Sequence, residues 1–562
     1  MKHLIYSVVV FVAVLLTYIQ SVRYEFVAYD DHDYVFCNPR VMTGISRDNL
    51  LWAIKSCGYA DNWHPITWMS LQFDASFFNF APSDEEGYLA SSLRPLASLM
   101  HTHNVILHAA NAVLLFVLIV LLGQRLNPER GMPPLIAALC TILWAIHPLR
   151  TEVVCWVSER KELVSVFWML LTLIVWTGKR SAGCYLASLL FFALAILAKP
   201  VAVTLPFVLF SWDWVVLKKR FARAFTVALP FLCLSIVAAT LTFAAQKGAI
   251  DVGSDYSAIE KVVMSLSAPA IYLRQTLCPT NLSAFYPLKP PVPWIECFIG
   301  VMLFGGSVVV CVMWLFRRSS YVLSLLSFAV AWCLVSLLPM LGIIKVGNQT
   351  HSDRYTYWVG CGLAVIMAMG IRQIAKAHGK ILIRALGVVA VIFFVATLVR
   401  MPVWKNSIAL FSDAVPKSWA ERPVCALSWS LRQKGKDGDR QAEMILREAV
   451  TRTHSLDVTA EFAHLLACRA ESSAFCINDV DPAFAEPRFE AQSVLSVDPK
   501  HPLANEAMAI IEMKEGKWGD ACGRLELART RSKRDLVPRI DREIAICRRQ
   551  MNTDKGQSNV QK

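Results

Sequence analysis

Apolar runs of roughly 16 to 24 residues recur from Leu4 to about Val399, the length at which a helix crosses a hydrocarbon core of about 30 Å. They predict eleven helical spans: Leu4–Gln20, Asn104–Gly123, Pro134–His147, Leu163–Thr177, Gly183–Ala198, Val201–Leu217, Ala224–Ala245, Ile295–Phe316, Tyr321–Ile344, Tyr355–Ile371 and Ile381–Val399. The third, fourth, fifth and tenth are short. The first is longer than a signal-peptide core and no small-x-small cleavage site follows it, so an uncleaved anchor is expected. After Met401 the texture changes to charge-dense helical sequence. The expected fold class is all-α: a polytopic membrane bundle over 1–400, a soluble helical-repeat domain over 401–551 and a polar, disordered tail over 552–562. Within the membrane domain, residues 21–103 form a first outer loop too long for a simple connection.

Lys and Arg in the short loops set the orientation. The basic connections are Gln124–Arg130, Gly178–Arg180, Lys218–Arg223, Arg317–Arg318 and Arg372–Lys380. Eleven spans with a cytoplasmic N-terminus put all five inside, provided Ala258–Cys278 does not cross. Counting that segment as a span would move Arg317-Arg318 and the 372–380 loop outside. In the eleven-span arrangement every polar cluster falls outside: Tyr29-Asp30-Asp31, Trp63-His64-Pro65, His147 to Lys161, Lys199-Pro200 and His351 to Tyr355. The C-terminal domain is then extracytoplasmic as well, in a bacterial inner membrane, or lumenal in the endoplasmic reticulum of a eukaryote.

Composition agrees with this class. Apolar residues make up 55% of the 562 and charged residues 18%, too oily for an ordinary soluble protein. The net charge of +13 follows from the inner loops and the soluble domain. No stripe of interleaved basic and aromatic residues supports a nucleic-acid partner. Many of the sixteen cysteines, such as Cys140, Cys233, Cys311 and Cys333, lie in spans and act as small apolar residues. There is no C-x-x-C pair, so zinc is not expected. Cys37 with Cys57, and Cys468 with Cys476, are candidate disulfides in an oxidising compartment.

Ionisable groups beside apolar spans are functional candidates by default. Asp30 and Asp31 can serve as a general base, can hold a divalent cation, or can form an acidic turn. Trp63 and His64 suit an interfacial or sugar-stacking surface. His101, Asn104, His108 and Asn111 make one polar helix face. Arg160 and Lys161 stand outside against the positive-inside bias, which suggests an anionic ligand such as phosphate. Pairing with Glu152 or Glu159, or snorkelling, is the competing account. Lys199, in a tight turn between two spans, poses the same question.

The ordered set Y-D-D (Tyr29–Asp31), W-H-P-x-T-W (Trp63–Trp68), H-x-x-N-x-x-x-H (His101–His108), H-P-L-x-x-E-x-x-x-W-V-x-E-R-K (His147–Lys161), A-K-P (Ala198–Pro200), F-Y-P (Phe285–Pro287) and D-R-Y-T-Y (Asp353–Tyr357) resembles the transmembrane and tetratricopeptide repeat-containing O-mannosyltransferases and their bacterial relatives. That family belongs to the C-type glycosyltransferase superfold. The resemblance implies an enzyme that takes a sugar from a polyprenyl-phosphate carrier on the extracytoplasmic side. It maps the catalytic aspartate onto Asp30-Asp31 and the phosphate-holding cations onto Arg160, Lys161 and Arg354, to which Lys199 is added. His64, Trp63, His147, Glu152, Glu159, His351, Asp353 and Tyr355 are the candidate substrate contacts. Most members of the superfold work without metal, so none is expected, although the paired aspartates leave a divalent ion open. Two departures stand out. The stretch Pro82–Met100 is longer than the family's spacing, and Gly347–His351 matches the segment before D-R-Y-T-Y only loosely.

In the C-terminal domain, Ala442, Leu446 and Ala449 repeat the spacing of Ala521, Leu525 and Ala528. These are the positions at which the second helix of a tetratricopeptide repeat packs on the first. Pro499, Pro502 and Gly516 before Trp518 fit the turns of a last repeat, while Thr453 to Phe489 fits poorly. Such hairpins bind extended peptides. The expectation is hexose transfer, of mannose or another hexose, from a polyprenyl-phosphate donor to a protein Ser/Thr hydroxyl presented by the repeats. The alternative is a non-catalytic membrane scaffold whose repeats recruit outer-face partners. A transporter is disfavoured by the lack of any duplication of the spans.

Overall fold

The computed structural model describes residues 1–78, 91–126, 129, 131–178, 181–246, 257–287, 293–318, 320–342, 349–473, 482–532 and 537–560. Helices and their connections make up all of them, with no strand among the described residues. The chain divides into two units, Met1–Leu410 and Phe411–Lys562. The division falls later than the expected residue 400 because the segment after the last span belongs to the first unit. There Trp404 stacks on Trp156 at 5.7 Å, the Lys405 carbonyl accepts from Glu25 N–H at 2.9 Å, and Ser407 Oγ accepts from Ala28 N–H at 2.7 Å.

Among the described residues, seven helices are long and apolar enough to cross a membrane: Lys2–Arg23, Arg94–Leu126, Phe221–Ala245, Trp294–Phe316, Val322–Met340, Asp353–Ile374 and Gly379–Trp404. The protein is therefore read as integral to a membrane. An eighth span arises if Pro134–Ala145 and Pro148–Cys155, bent by 59°, are taken together. The sequence predicts a single span over Pro134–His147. Pro148 has no N–H and disfavours helical geometry at the residue before it. His147 accordingly is extended (ψ 137°) and the helix breaks there. Expected span Leu163–Thr177 lies in Arg160–Thr177, whose first turn is charged. Gly183–Ala198 and Val201–Leu217 fall in the shorter apolar helices Ala182–Ala198 and Pro200–Val216.

Helical conformation continues from Thr356 to Arg400, 45 residues, which would measure about 68 Å if straight. It doubles back instead. Near its start Thr356 Oγ1 accepts from Arg150 Nη1 at 3.1 Å, and near its end Thr397 Oγ1 donates to the Ile146 carbonyl at 2.6 Å. Both ends thus meet the same His147 corner, and the two expected spans are antiparallel neighbours.

In the second unit the helices Glu421–Arg432, Lys436–Thr453, Leu456–Ser473, Ala485–Val497, Pro502–Lys514, Trp518–Arg531 and Val537–Val560 stack as consecutive helical hairpins. Ala442, Leu446, Ala449, Ala521, Leu525 and Ala528 are all fully buried between them. Gly438 is required by contact, since a Cβ there would lie 1.9 Å from the Leu431 carbonyl oxygen. Gly516 turns the chain with φ +72°. The tail expected to be disordered is helical through Val560, because the last helix continues past residue 551. Cys37 and Cys57 are free thiols, as is Cys468. Cys476, much of Pro82–Met100, Gly347-Asn348 and parts of the basic loops at 124–130 and 178–180 lie outside the described residues.

Candidate functional site

The two adjacent aspartates have different surroundings. Asp31 is buried. Its Oδ2 accepts from Val27 N–H at 2.9 Å, and its Oδ1 from Ser158 N–H at 2.9 Å and Ser158 Oγ–H at 2.5 Å. Burial pushes its carboxyl up to about 7, against the pull of those hydrogen bonds. Asp30 keeps 30% of its side chain exposed and lies 3.6 Å from Lys161 Nζ. Asp31 therefore ties the first loop to the Ser158 turn, and Asp30 presents its carboxylate to the cations.

Three cations gather on one carboxylate. Lys161 lies in the first turn of the helix Arg160–Thr177. Its Nζ is 3.4 Å from Glu159 Oε1, donates to Tyr34 OH at 3.3 Å, and rests over the rings of Tyr34 (4.4 Å) and Trp156 (5.5 Å). Lys199 occupies the extended break between Ala182–Ala198 and the 3-10 turn that follows. Its Nζ is 2.9 Å from Glu159 Oε2 and 2.8 Å from Glu162 Oε2. Arg354 pairs with Glu152 through Nη1 at 2.5 Å and its backbone N–H at 3.0 Å. Its Nε is 3.5 Å from Glu159 Oε1, and its guanidinium covers Trp156 (5.6 Å) and Tyr355 (5.1 Å).

Burial opposes ionisation of Glu159, yet Lys199, Lys161 and Arg354 hold its carboxyl at about 2. Burial likewise opposes the Lys199 ammonium, and Glu159 and Glu162 outweigh it, so its pKa is raised.

His64 sits beside this cluster, fully buried, its ring 5.2 Å from Tyr34 and 4.7 Å from Trp68. Burial first, then Lys161 and Lys199, hold it well below the usual imidazole range, so it is neutral at pH 7. Neither ring nitrogen has a hydrogen-bond partner among the described residues.

The segment His351–Tyr355 reaches the same region. Gln349 Nε2 donates to Tyr29 OH at 2.6 Å, and the Tyr29 ring lies 4.9 Å from Trp156. His351 stacks on Tyr286 at 4.0 Å, and Tyr286 OH donates to Asp353 Oδ1 at 2.8 Å. Contacts thus bring Asp30, Lys161, Glu159, Lys199, Glu152 and Arg354 together, with His64, His351, Asp353 and Tyr355 around them.

Three expected site residues are engaged elsewhere. Arg160, expected to hold phosphate, is fully buried. Its guanidinium binds Asp74 Oδ2 at 2.9 Å, the Met100 carbonyl at 2.7 Å, Ser70 Oγ at 3.1 Å and the Asn104 side chain. Consecutive helical side chains point about 100° apart, so Lys161 faces the cluster and Arg160 faces the first loop. Trp63 donates its indole N–H to the Ile54 carbonyl at 2.9 Å, at the surface. His147 serves the break: its Nδ1 accepts from Leu149 N–H at 3.2 Å and its Nε2 is 2.9 Å from the Thr276 carbonyl oxygen.

Sequence reasoning missed Tyr34, Trp156, Glu162, Tyr286 and Asp74 as site or support residues. Asp74 had a signal, being a lone acid in an apolar helix whose Trp68, Leu71 and Ala75 are all fully buried. Tyr34 had none beyond lying four residues from Asp30.

Chemically, the cluster offers an accessible carboxylate to take a proton and, beside it, cations that can stabilise developing negative charge. Among the described residues no set of three His, Cys, Asp or Glu side chains is placed to hold a metal ion. No protein-family model matches the chain, and no curated protein matches it.

Proposed function

We propose that this protein is a membrane glycosyltransferase that moves a hexose from a polyprenyl-phosphate donor to a hydroxyl acceptor on the extracytoplasmic side. The observation that carries this reading is the Asp30 carboxylate 3.6 Å from Lys161 Nζ, at the edge of the group formed by Lys161, Lys199, Arg354 and Glu159. A general base must stand where the acceptor arrives, and the cations where the phosphate departs. In the proposed step Asp30 accepts the hydroxyl proton and the acceptor oxygen bonds to the anomeric carbon. The bond from that carbon to the phosphate oxygen breaks, and its electron pair leaves with the lipid phosphate. Lys161, Lys199 and Arg354 stabilise that charge, while Glu152, Glu159 and Glu162 keep the three cations in register beforehand.

The wider expectations belong to the same reading: eleven spans, a cluster face outside the cytoplasm, and hairpins of the tetratricopeptide type that present a protein Ser/Thr acceptor. Support for the hairpins comes from the buried Ala442-Leu446-Ala449 and Ala521-Leu525-Ala528 sets. The test is to incubate the purified protein with labelled polyprenyl-phosphate hexoses and extracytoplasmic proteins. Label should pass to protein with the wild type and not with Asp30→Asn. Equal transfer by Asp30→Asn would remove the proposed base.

A further inference from the structure

At the end of the membrane unit remote from Asp30, two basic loops distant in sequence close on one aromatic cluster. Lys199, in the candidate site, heads the segment Pro200–Val216, and Trp214 lies at its far end. The helix Phe221–Ala245 starts at that far end and returns, so that Gln246 Nε2 comes 3.5 Å from Asn62 Oδ1, close to His64. Its 25 residues separate the two ends by about 37 Å.

The Trp214 ring meets Trp314 at 5.0 Å, Phe221 at 5.3 Å and Phe210 at 5.5 Å. Trp314 is fixed in turn by its indole N–H, which donates to Ser324 Oγ at 3.1 Å. Over this pair lies the Arg318 guanidinium, 5.1 Å from Trp314 and 5.9 Å from Trp214. Lys218, Arg220 and Arg223 from one loop and Arg317 and Arg318 from the other are exposed. Asp213, between Trp212 and Trp214, is buried and pairs with Lys219 at 2.9 Å and with the Trp176 indole N–H at 3.3 Å. A positive-inside bias accounts for charge in each loop. It does not account for their meeting, nor for an exposed arginine held over two indoles.

We propose that this end of the protein is a binding site for the headgroup of an anionic phospholipid. Indole rings sit by preference at headgroup level, and a guanidinium held over their faces is oriented in advance to fork onto a phosphodiester. Exposed cations there attract acidic lipid in addition to hydrophobic contact.

The full chain, purified in detergent and offered phosphatidylglycerol or phosphatidylcholine, reports retained lipid by native mass spectrometry. Phosphatidylglycerol should be retained in preference, and each cation neutralised should weaken retention about fivefold. Lys218→Gln, Arg220→Gln, Arg223→Gln and Arg318→Gln together should abolish the preference. Arg125→Gln, in another basic loop, should leave it intact. Trp214→Leu, which keeps every charge, should also weaken it; this variant and Arg318→Gln alone decide the matter if the fourfold variant does not insert. An unchanged preference in these variants, an equal loss in Arg125→Gln, or displacement of the lipid by inorganic phosphate would overturn the proposal.

Discussion

Asp31 accepts from both the backbone N–H and the hydroxyl of Ser158, 127 residues away, and so fixes the first loop against the turn that leads to Glu159 and Lys161. Its neighbour Asp30 keeps 30% of its side chain exposed and lies 3.6 Å from Lys161 Nζ. The two aspartates should therefore fail differently when changed. Asp30→Asn should lose sugar transfer with little change in unfolding temperature. Asp31→Asn should cost about 1–3 kcal/mol of stability, because a carboxamide presents an N–H to donors already aimed at the site. Thermal unfolding in detergent beside the transfer assay separates the two; equal unfolding temperatures for both variants would refute the division of labour.

Asp31 should also leave a pH signature. Its carboxyl has an ordinary value of 3.8 and is raised to about 7 in the fold by burial, so between those values the folded state binds more protons than the unfolded state. That contribution is fully present below about pH 4 and is lost as pH rises through about 7. His64, held neutral by burial, works the opposite way below pH 6.5. The difference between wild type and Asp31→Asn isolates the carboxyl. The stability advantage of wild type should shrink from pH 5 to pH 8, measured as unfolding temperature in matched buffers.

Arg160 and Asp74 form a fully buried ion pair at 2.9 Å, with His103 Nδ1 on the other Asp74 oxygen at 2.5 Å. Removing either partner leaves a buried charge uncompensated, so Arg160→Met and Asp74→Asn should each cost about 3–5 kcal/mol. The double variant should lose clearly less than their sum. Lys161→Gln should instead raise KM for the lipid donor while the fold stays intact. A denaturation double-mutant cycle with purely additive costs would deny the pairing.

Seven of the eleven expected spans were legible because burial in lipid demands long apolar runs, and the turn between Tyr355–Ile371 and Ile381–Val399 was legible from its charges even though helical conformation continues through it. The nearness of Asp30, Lys161 and Arg354 agrees with the common side of the membrane that the loop charges predict for them. What could not be read was direction around a helix end: Arg160 and Lys161 are adjacent and equally basic, and only packing decides that one meets Asp74 and the other Asp30. Glu162 was hidden for the same reason, one residue further on. The break at His147-Pro148 had a clear signal in the proline, which the apolar run masked. In the repeats, the Ala-Leu-Ala spacing correctly located buried positions, whereas Gly438 depends on a helix-to-helix distance that spacing does not encode.

Gly438 gives a direct check on the hairpin packing. With a Cβ, residue 438 would meet the Leu431 carbonyl at 1.9 Å and its carbon at 2.8 Å, both backbone atoms that yield only if the helices separate. Gly438→Ala should destabilise the second unit by about 1–3 kcal/mol or more, although alanine is the better helix former. Limited proteolysis of the full chain should then cut after residue 411 sooner than in wild type, with the membrane unit unaffected.

The charge balance of the site makes a last prediction. Lys161, Lys199 and Arg354 face Asp30, Glu152, Glu159 and Glu162, so an incoming phosphate must compete with carboxylates already in place. Glu159 and Glu162 should differ in consequence. Glu159 touches all three cations, and Glu159→Gln would leave them repelling one another in a buried setting, costing about 3–5 kcal/mol of stability. Glu162 pairs with Lys199 at 2.8 Å, and Lys199 keeps Glu159 as a partner. Glu162→Gln should fold, and by removing one competing negative charge should lower donor KM on the order of tenfold. Donor titrations of the two variants, read with their unfolding temperatures, test this directly. An unchanged or raised KM in Glu162→Gln would mean that the phosphate does not use Lys199.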